Sequence, residues 1–260
     1  MSQTIQTTRS VASQVSPQEW QTRVALAATY RLMALTGVFD LTYNHLSARV
    51  PAEDEAYLIK GEQQLFREVT ASSLVKYDFA GKRLLDSPYS ISAGGQVIHG
   101  GVLQGRPDLQ AVFHTHTPAN MALSALKVGL LPITQHAVRF HGHLAYHDFD
   151  GFEFDVAGRD RILASLGDKQ FLVMRNHGVL IGGRTIPEAY VEHHFFEYAA
   201  QSQLAALQAA GGVDGIVIPR EEVSVHAANQ IRGRGGITEK SRDWPALIRW
   251  LDDVSPEYKT

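Results

Sequence analysis

Three histidines have the residue type and spacing of a metal site, namely His114, His116 and His177. The first two close an apolar run, residues 110–115, that is typical of a buried strand. Because side chains two apart on a strand point to the same face, both imidazoles can reach one ion. His177 follows another apolar run, and the glycine after it permits a sharp turn. Three ring nitrogens leave an open position, as catalytic zinc requires, although turn and packing roles also explain such histidines.

The composition excludes other kinds of metal site. With no cysteine among 260 residues, disulfides and thiolate ligands are ruled out, so a metal must bind nitrogen or oxygen. Nitrogen ligands suit zinc, iron, cobalt or nickel. A formal net charge of −3 without a basic tract indicates neither nucleic acid nor an anionic membrane as a partner. The N-terminus lacks an apolar signal segment and no run is long enough to cross a membrane, so we expect a cytoplasmic protein.

The elements that must position these histidines follow from capping signals and apolar periodicity. Ser16-Pro17 and Thr185-Ile186-Pro187-Glu188 predict two long helices, which end near Gly37 and Gly211. Shorter helices are predicted at 94–105, 117–126 and 157–166. Strands are predicted within 38–50, 51–90, 110–115, 130–134, 171–174 and 175–183, with a histidine-dense loop at 135–150.

The domain organisation is predicted to be simple. Residues 1–15 read as a flexible arm, and residues 16–260 as a single domain without repeats or linkers. From about residue 212 we predict a loop-rich tail, with Trp244, Trp250 and Leu251 as the anchors that dock it.

Two longer segments make the histidine pattern recognisable, VFHTHTPANMALSAL and, further along, LVMRNHGVLIGG. With GVFDLTYNHLSARV, GLLPI and AYHDFDG, they resemble the class II aldolase/adducin family over roughly residues 17–211, most closely its adducin-like branch. The resemblance implies an α/β fold, a three-layer α/β/α arrangement with a central, mainly antiparallel sheet. It also implies a homo-oligomer, a tetramer with active sites at subunit contacts, that acts on a small molecule.

The same resemblance gives the three histidines a role. In aldolase and epimerase members of the family, the residues that match His114, His116 and His177 hold zinc or a similar ion. We therefore expect one divalent metal ion here, zinc in the first place, with iron(II), manganese or cobalt as alternatives.

The departures from the family pattern concern the substrate. Sugar-phosphate aldolases of the family have an acid/base glutamate four residues before the position of His99, where this chain has Gly95. A glycine transfers no proton and leaves space beside the ion. We expect Gly95, Gln96 and Asn44 to line the substrate site. The phosphate-binding segments of the family also differ here, so a non-phosphorylated substrate is expected.

A histidine is the expected replacement for the missing glutamate, because an imidazole titrates near neutral pH. The loop at 135–150 offers His136, His141, His143 and His147. His147 is the favoured catalytic residue, together with Tyr146, because Tyr146-His147-Asp148 resembles the family at this point.

Other histidines are expected to play supporting or structural roles. His99 is predicted to face the core or to support the site. Asn44 and His45 follow a predicted strand and either touch a ligand or form a turn. His193 and His194, adjacent on a helix, diverge and form a poor chelate, so a solvated face or a subunit contact is predicted for them.

Three functions follow as hypotheses. The leading one is a metal-dependent lyase, of aldolase or decarboxylase type, that acts on a small hydroxy-carbonyl compound through a metal-stabilised enolate. A three-histidine non-haem iron oxygenase is an alternative that the open space at Gly95 also suits. A non-catalytic assembly domain, as the resemblance to adducins implies, is the third, and the retention of all three histidines favours an enzyme.

Overall fold

A seven-stranded sheet forms the centre of the chain in the computed structural model, which describes residues 10–152 and 155–260. Its strands are β1 (His45–Arg49), β2 (Ala56–Ile59), β3 (Val75–Asp78), β4 (Ala111–Thr115), β5 (Leu144–His147), β6 (Phe171–Met174) and β7 (Gly178–Gly183). Their order is β3-β2-β1-β4-β7-β6-β5. Neighbouring strands pair antiparallel except for β5 and β6, which are parallel. The predicted mainly antiparallel sheet is confirmed.

Helices cover both faces of this sheet. They are α1 (Pro17–Leu35), α2 (Ala93–Gly95), α3 (Gly101–Gly105), α4 (Pro118–Ser124), α5 (Val156–Leu166), α6 (Ile186–Ala210), α7 (Glu221–Arg232) and α8 (Trp244–Val254). Helices α1, α4, α6 and α8 share one apolar core with the sheet, and α3 and α5 share the other. Alternate β4 residues serve the two cores: Phe113 faces the first and Val112 the second. The α/β/α layering is thereby confirmed.

The two long helices begin and end where local sequence signals predict. The Ser16 hydroxyl accepts a hydrogen bond from the Glu19 backbone N–H at the start of α1. The Thr185 hydroxyl does the same for Glu188 at the start of α6, and Gly211 ends that helix with a φ of 69°. Each cap satisfies a backbone donor that the first helical turn leaves unpaired.

The predicted helix at 94–105 is present but is not a regular α-helix. A π-helical turn, Gln96–Gly100, joins α2 to α3 and contains His99. Such turns shift the side chains that follow them and are frequent at functional sites. The sequence periodicity indicates the helix but not the extra residue in this turn.

Two predictions in the region before β6 are wrong. Residues 130–134 form no strand, because side chains satisfy their backbone: Leu130 N–H donates to the Tyr146 hydroxyl and Leu131 N–H donates to Gln203 Oε1. The histidine-dense segment 135–150 is not one loop, because it contains a 3-10 turn, Ala137–Phe140, and strand β5.

The prediction of a loop-rich tail is also wrong, because α7 and α8 lie beyond residue 212. Trp244 and Leu251 are buried anchors as predicted, whereas Trp250 is 42% exposed and does not dock the tail. Helix α8 packs on α1, whereas α7 packs on the 3-10 turn Ala137–Phe140.

Two further expectations concern the termini and the membrane. The predicted arm falls partly on residues 1–9, which lie outside the described residues; beyond them the chain forms a 3-10 turn, Val11–Ser13. Within the described ranges, no helix combines the length and apolar character that crossing a bilayer requires.

Candidate metal centre

The three histidines meet where strand ends converge. His114 lies on β4, His116 follows it, and His177 occupies the turn between β6 and β7. Because β4 and β7 are antiparallel, with Thr115 opposite Val179, the start of β7 lies beside the end of β4. The ligand nitrogens of the three imidazoles all lie within 4.8 Å of one another.

Close backbone approach makes this convergence possible. A Cβ atom at Gly178 would lie 2.4 Å from the Thr115 carbonyl oxygen and 2.9 Å from Cδ2 of His116. Only glycine fits such a contact. Asn176 adopts a left-handed φ of 56°, which closes the tight turn before His177.

The outer nitrogens of two of the rings have fixed partners. Nδ1 of His114 lies 3.0 Å from the Val179 carbonyl oxygen, and Nδ1 of His116 lies 3.2 Å from Asp40 Oδ2. A carbonyl and a carboxylate accept hydrogen bonds, so both Nδ1 atoms donate and both Nε2 atoms carry lone pairs. Such partners orient the imidazoles of metal sites.

The inner nitrogens face one another. Nε2 of His116 lies 2.8 Å from Nε2 of His114 and 3.1 Å from Nε2 of His177. Two lone pairs at that distance repel unless a cation lies between them. Tetrahedral zinc, with bonds of about 2.0–2.1 Å, sets ligand nitrogens about 3.3 Å apart, so the donor set fits such an ion after a small adjustment.

Burial keeps these rings neutral. It lowers the pKa of His114 well below 6.5, with a smaller contribution from the neighbouring histidines. Burial also lowers the pKa of His116, against the opposing effect of Asp40. It brings the pKa of His177 to about 4, assisted by His116 and His147. Neutral imidazole is the metal-binding form, so protons compete weakly for these nitrogens at neutral pH.

A cavity of about 730 Å³ opens in front of the three histidines. Its wall contains Tyr43, His45, Lys60, Ser92 and Phe152, among other residues. Tyr43 and Phe152 are largely exposed at the surface, whereas Lys60 is buried. A concave site with a few convergent polar groups is the usual form of a small-molecule site.

A chain of hydrogen bonds connects this cavity to the core. His45 Nδ1 lies 2.7 Å from His99 Nε2, and His99 Nδ1 lies 2.5 Å from the Ser47 hydroxyl. That hydroxyl donates to the Val112 carbonyl at 3.4 Å and therefore accepts from His99. This arrangement makes His45 Nδ1 a donor and leaves a lone pair on its Nε2, which has no partner among the described residues.

Burial again determines the charge of both rings. It lowers the pKa of His45 well below 6.5, with a smaller contribution from the neighbouring His99, and lowers the pKa of His99 to about 3. His99 is fully buried, and it supports a cavity residue as predicted.

The expected substrate-binding residues have different environments. Gly95 is buried, and a Cβ atom there would lie 3.0 Å from the Ser92 hydroxyl and 3.9 Å from Cδ2 of His45. Asn44 is fully buried and precedes β1 rather than following a strand. Its Oδ1 accepts from the His116 backbone N–H at 2.8 Å, so it positions a ligand residue. The Gln96 amide packs against Gly81 instead of lining the cavity.

The two residues favoured as catalytic do not line the cavity. His147 is 5% exposed, and its Nδ1 lies 2.8 Å from the Ser165 hydroxyl. The Tyr146 hydroxyl accepts from Leu130 N–H, and its ring is covered by the guanidinium of Arg175. Both lie on a strand whose neighbours were not evident from the sequence.

The remaining histidines of that segment lie elsewhere. His141 bonds to Glu221 of α7, and His136 stacks on Phe195 of α6. The surface role predicted for His193 is wrong: this residue is buried, and its Nε2 lies 2.7 Å from the Thr115 hydroxyl. Thr115 points away from the cavity, so α6 holds the strand between the two ligand positions.

Sequence reasoning missed two charged residues at this site, Asp40 and Lys60. Asp40 orients His116, and its only signal was a polar residue in a loop before a strand. Lys60 follows β2 in an Ile59-Lys60-Gly61 segment that resembles an ordinary strand end. Neither burial nor partners could be derived from these local patterns.

Comparisons with known sequences agree with the family resemblance of the sequence. The model of the Class II Aldolase and Adducin N-terminal domain matches residues 24–204. A Caulobacter vibrioides protein whose name places it with aldolase class 2 is 41% identical, with 96% of each chain covered. Alpha-adducin of Rattus norvegicus is 40% identical, over 92% of this chain and 34% of that protein.

Solved structures share the architecture. A crystal structure of an aldolase II superfamily protein from Pseudomonas syringae has a TM-score of 0.92 and 45% identity, covering 97% of this chain and all of that chain (100%). L-fuculose 1-phosphate aldolase from Glaciozyma antarctica PI12 has a TM-score of 0.79 at 22% identity, covering 99% and 97% of the two chains. At that identity the likeness concerns the fold alone.

Proposed function

Because this chain belongs to the Class II aldolase and adducin family, we propose that it is a metal-dependent lyase. Its substrate is a small, non-phosphorylated hydroxy-carbonyl compound, and the reaction makes or breaks a bond to the carbon beside the carbonyl. The single observation that carries the proposal is the convergence of three neutral imidazoles, with opposed Nε2 atoms, at the wall of an open cavity.

One divalent ion, zinc in the first place, would be held by Nε2 of His114, His116 and His177. When bound, it supplies a Lewis acid that polarises the substrate carbonyl. Val179 and Asp40 hold two of the rings in the orientation and tautomer that ligation requires. Iron(II), manganese and cobalt are the alternatives that the same nitrogen set accepts.

The proton transfer is assigned to His45 in place of His147. Bond formation beside a carbonyl starts with removal of a C–H proton, and the reverse reaction returns it. His45 lines the cavity next to Gly95, so it borders the space that the missing glutamate leaves. His99 holds Nδ1 of His45, which directs the Nε2 lone pair to the substrate.

A homo-oligomer with the cavity at a subunit contact completes the proposal, and a tetramer is the form that the family implies. Phe39, Leu41 and Tyr43 are each more than half exposed, on the segment that leads to the cavity rim. Contiguous exposed apolar side chains favour a protein interface. Light scattering after size exclusion measures the mass, and a monomer at micromolar concentration would contradict this part.

The lyase proposal is tested with a partial reaction that needs no knowledge of the true substrate. Zinc-loaded protein in D2O is expected to exchange the hydroxymethylene protons of hydroxyacetone, followed by NMR. Replacing His114, His116 and His177 by alanine should abolish both zinc binding and exchange. His141→Ala, which changes a histidine at the surface, is the matched control.

The two alternative functions, an oxygenase and an assembly domain, predict different results in the same samples. Stoichiometric iron in anaerobically purified protein, with oxygen-dependent turnover, would favour the oxygenase. Protein that takes up no metal in saturating zinc would favour an assembly domain. Exchange that survives loss of all three histidines would contradict the lyase.

A further inference from the structure

Lys60 is a buried cation that the lyase chemistry does not use. It is 3% exposed, although it lines the same cavity as the three histidines. Its Nζ donates to the carbonyl oxygen of Thr42 at 2.8 Å and to that of Gly61 at 3.2 Å. An ammonium group has three N–H donors, so one donor is left for another partner.

This lysine forms no ion pair among the described residues. Its two acceptors are neutral carbonyls, and within residues 10–152 and 155–260 no carboxylate forms an ion pair with it. The other buried lysine, Lys76, shows the usual arrangement, with Glu19 and Glu53 each 2.7 Å from its Nζ. A buried charge is costly without an opposite partner, so a ligand is the natural source of the missing anion at Lys60.

Lys60 is still a cation under ordinary conditions. Burial lowers its pKa from 10.5 to about 8, and the charge of Glu62 acts in the opposite direction. The ammonium form therefore predominates at neutral pH and can hold an anion through a charge-assisted hydrogen bond.

We propose that Lys60 binds a carboxylate of the substrate, which makes the substrate a hydroxy-keto acid. The acid group lies away from the hydroxy-carbonyl end that faces the three histidines. This inference rests on the proposed function and adds the substrate class. A single positive charge matches a carboxylate, whereas Glu62, also on the cavity wall, opposes the second charge of a phosphate.

The test uses three ligands that share a hydroxy-ketone group. They are 5-hydroxy-4-oxopentanoate, its uncharged methyl ester, and dihydroxyacetone phosphate. Binding to the zinc-loaded protein is measured by isothermal titration calorimetry. We expect the acid to bind about 10-fold to 100-fold more tightly than the ester, as a charge-assisted hydrogen bond implies.

Variants separate the lysine from the metal. Lys60→Met and Lys60→Gln should remove the preference for the acid and leave the affinity for the ester unchanged. Lys240→Met removes one exposed positive charge elsewhere and should change neither affinity. His114→Ala should weaken both ligands together. Thermal unfolding of each variant verifies that the fold is retained.

The outcomes distinguish the two proposals. Zinc-dependent binding of acid and ester with equal affinity would overturn the role of Lys60 and leave the metal-centred function standing. If both Lys60 variants still bind the acid more tightly than the ester, the role of Lys60 is likewise overturned, and the metal-centred function still stands. If dihydroxyacetone phosphate binds more tightly than the acid and this binding depends on Lys60, the proposal that Lys60 binds a carboxylate would be overturned. No binding of the acid to zinc-loaded wild-type protein would contradict the inference and the function on which it rests.

Discussion

Nε2 of His114 and Nε2 of His116 lie 2.8 Å apart, while Nδ1 of each ring is already committed to an oxygen acceptor. With both rings neutral, no proton lies between the two inner nitrogens, and their lone pairs oppose each other. A cation removes this repulsion. The outer partners of the two rings therefore matter as much to an ion as the imidazoles themselves.

Asp40 is expected to contribute to metal affinity through His116. Asp40→Ala removes the acceptor of His116 Nδ1, so the ring loses its fixed orientation and tautomer. We expect zinc affinity to fall about 10-fold to 100-fold, measured by competition with a chromophoric chelator. Asp40→Asn retains an acceptor oxygen, so its zinc affinity should lie between those of the wild type and Asp40→Ala. Asp253→Ala, an exposed aspartate on α8, is the control, and equal affinities in all four proteins would refute the role.

His45 and His147 are expected to differ in proton transfer. Replacing the cavity residue by His45→Asn should lower hydroxyacetone exchange at least about 100-fold while zinc content stays stoichiometric. His147→Asn should have a much smaller effect, because that ring bonds to Ser165 outside the cavity lining. NMR exchange rates and elemental analysis provide the measurement. The opposite ranking would return the catalytic role to His147.

Gly178 is expected to tolerate no side chain. In Gly178→Ala the new methyl group would overlap the Thr115 carbonyl oxygen, so β7 must move away from β4 and carry His177 with it. We expect a loss of about 1–3 kcal/mol in the free energy of unfolding, with weakened zinc binding. Gly236→Ala, where the nearest atom lies 3.5 Å from the new Cβ, is the control. Urea denaturation that gives equal midpoints would show the contact to be harmless.

His193 is expected to make the metal-free protein less stable in mild acid. Burial lowers its pKa from 6.5 to about 3, so between these values the unfolded chain binds more protons than the folded one. Stability therefore rises with pH in this window and is lost as the pH falls below 6.5. At pH 5 the loss is about 2 kcal/mol for this one group.

Urea denaturation of metal-free protein at several pH values measures this dependence. His193→Gln keeps a polar partner for Thr115 and should flatten the slope between pH 6.5 and 5. His226→Gln, on the exposed side of α7, should leave the slope as in the wild type. An unchanged slope in His193→Gln would mean that other groups cause the acid sensitivity.

The sequence by itself determined features that depend on neighbours along the chain. Ser16 and Thr185 mark helix starts because a hydroxyl three residues before a free N–H can always reach it. His114 and His116 share a face because of the strand period alone. His177 could be assigned to the same site only from the family resemblance. Its position depends on the pairing of β4 with β7, which local periodicity does not reveal.

Tertiary structure alone decided which side chains surround the site. His45 became a cavity residue because His99, on the π-helical turn of another layer, holds its outer nitrogen. The Tyr146 hydroxyl is placed outside the cavity lining because it accepts from the backbone N–H of Leu130 and its ring lies under Arg175. Lys60 gained importance because it is buried and its hydrogen-bond acceptors are neutral carbonyls. Burial and partners are set by contacts between distant segments, and these determine charge, pKa and orientation in ways that residue spacing does not specify.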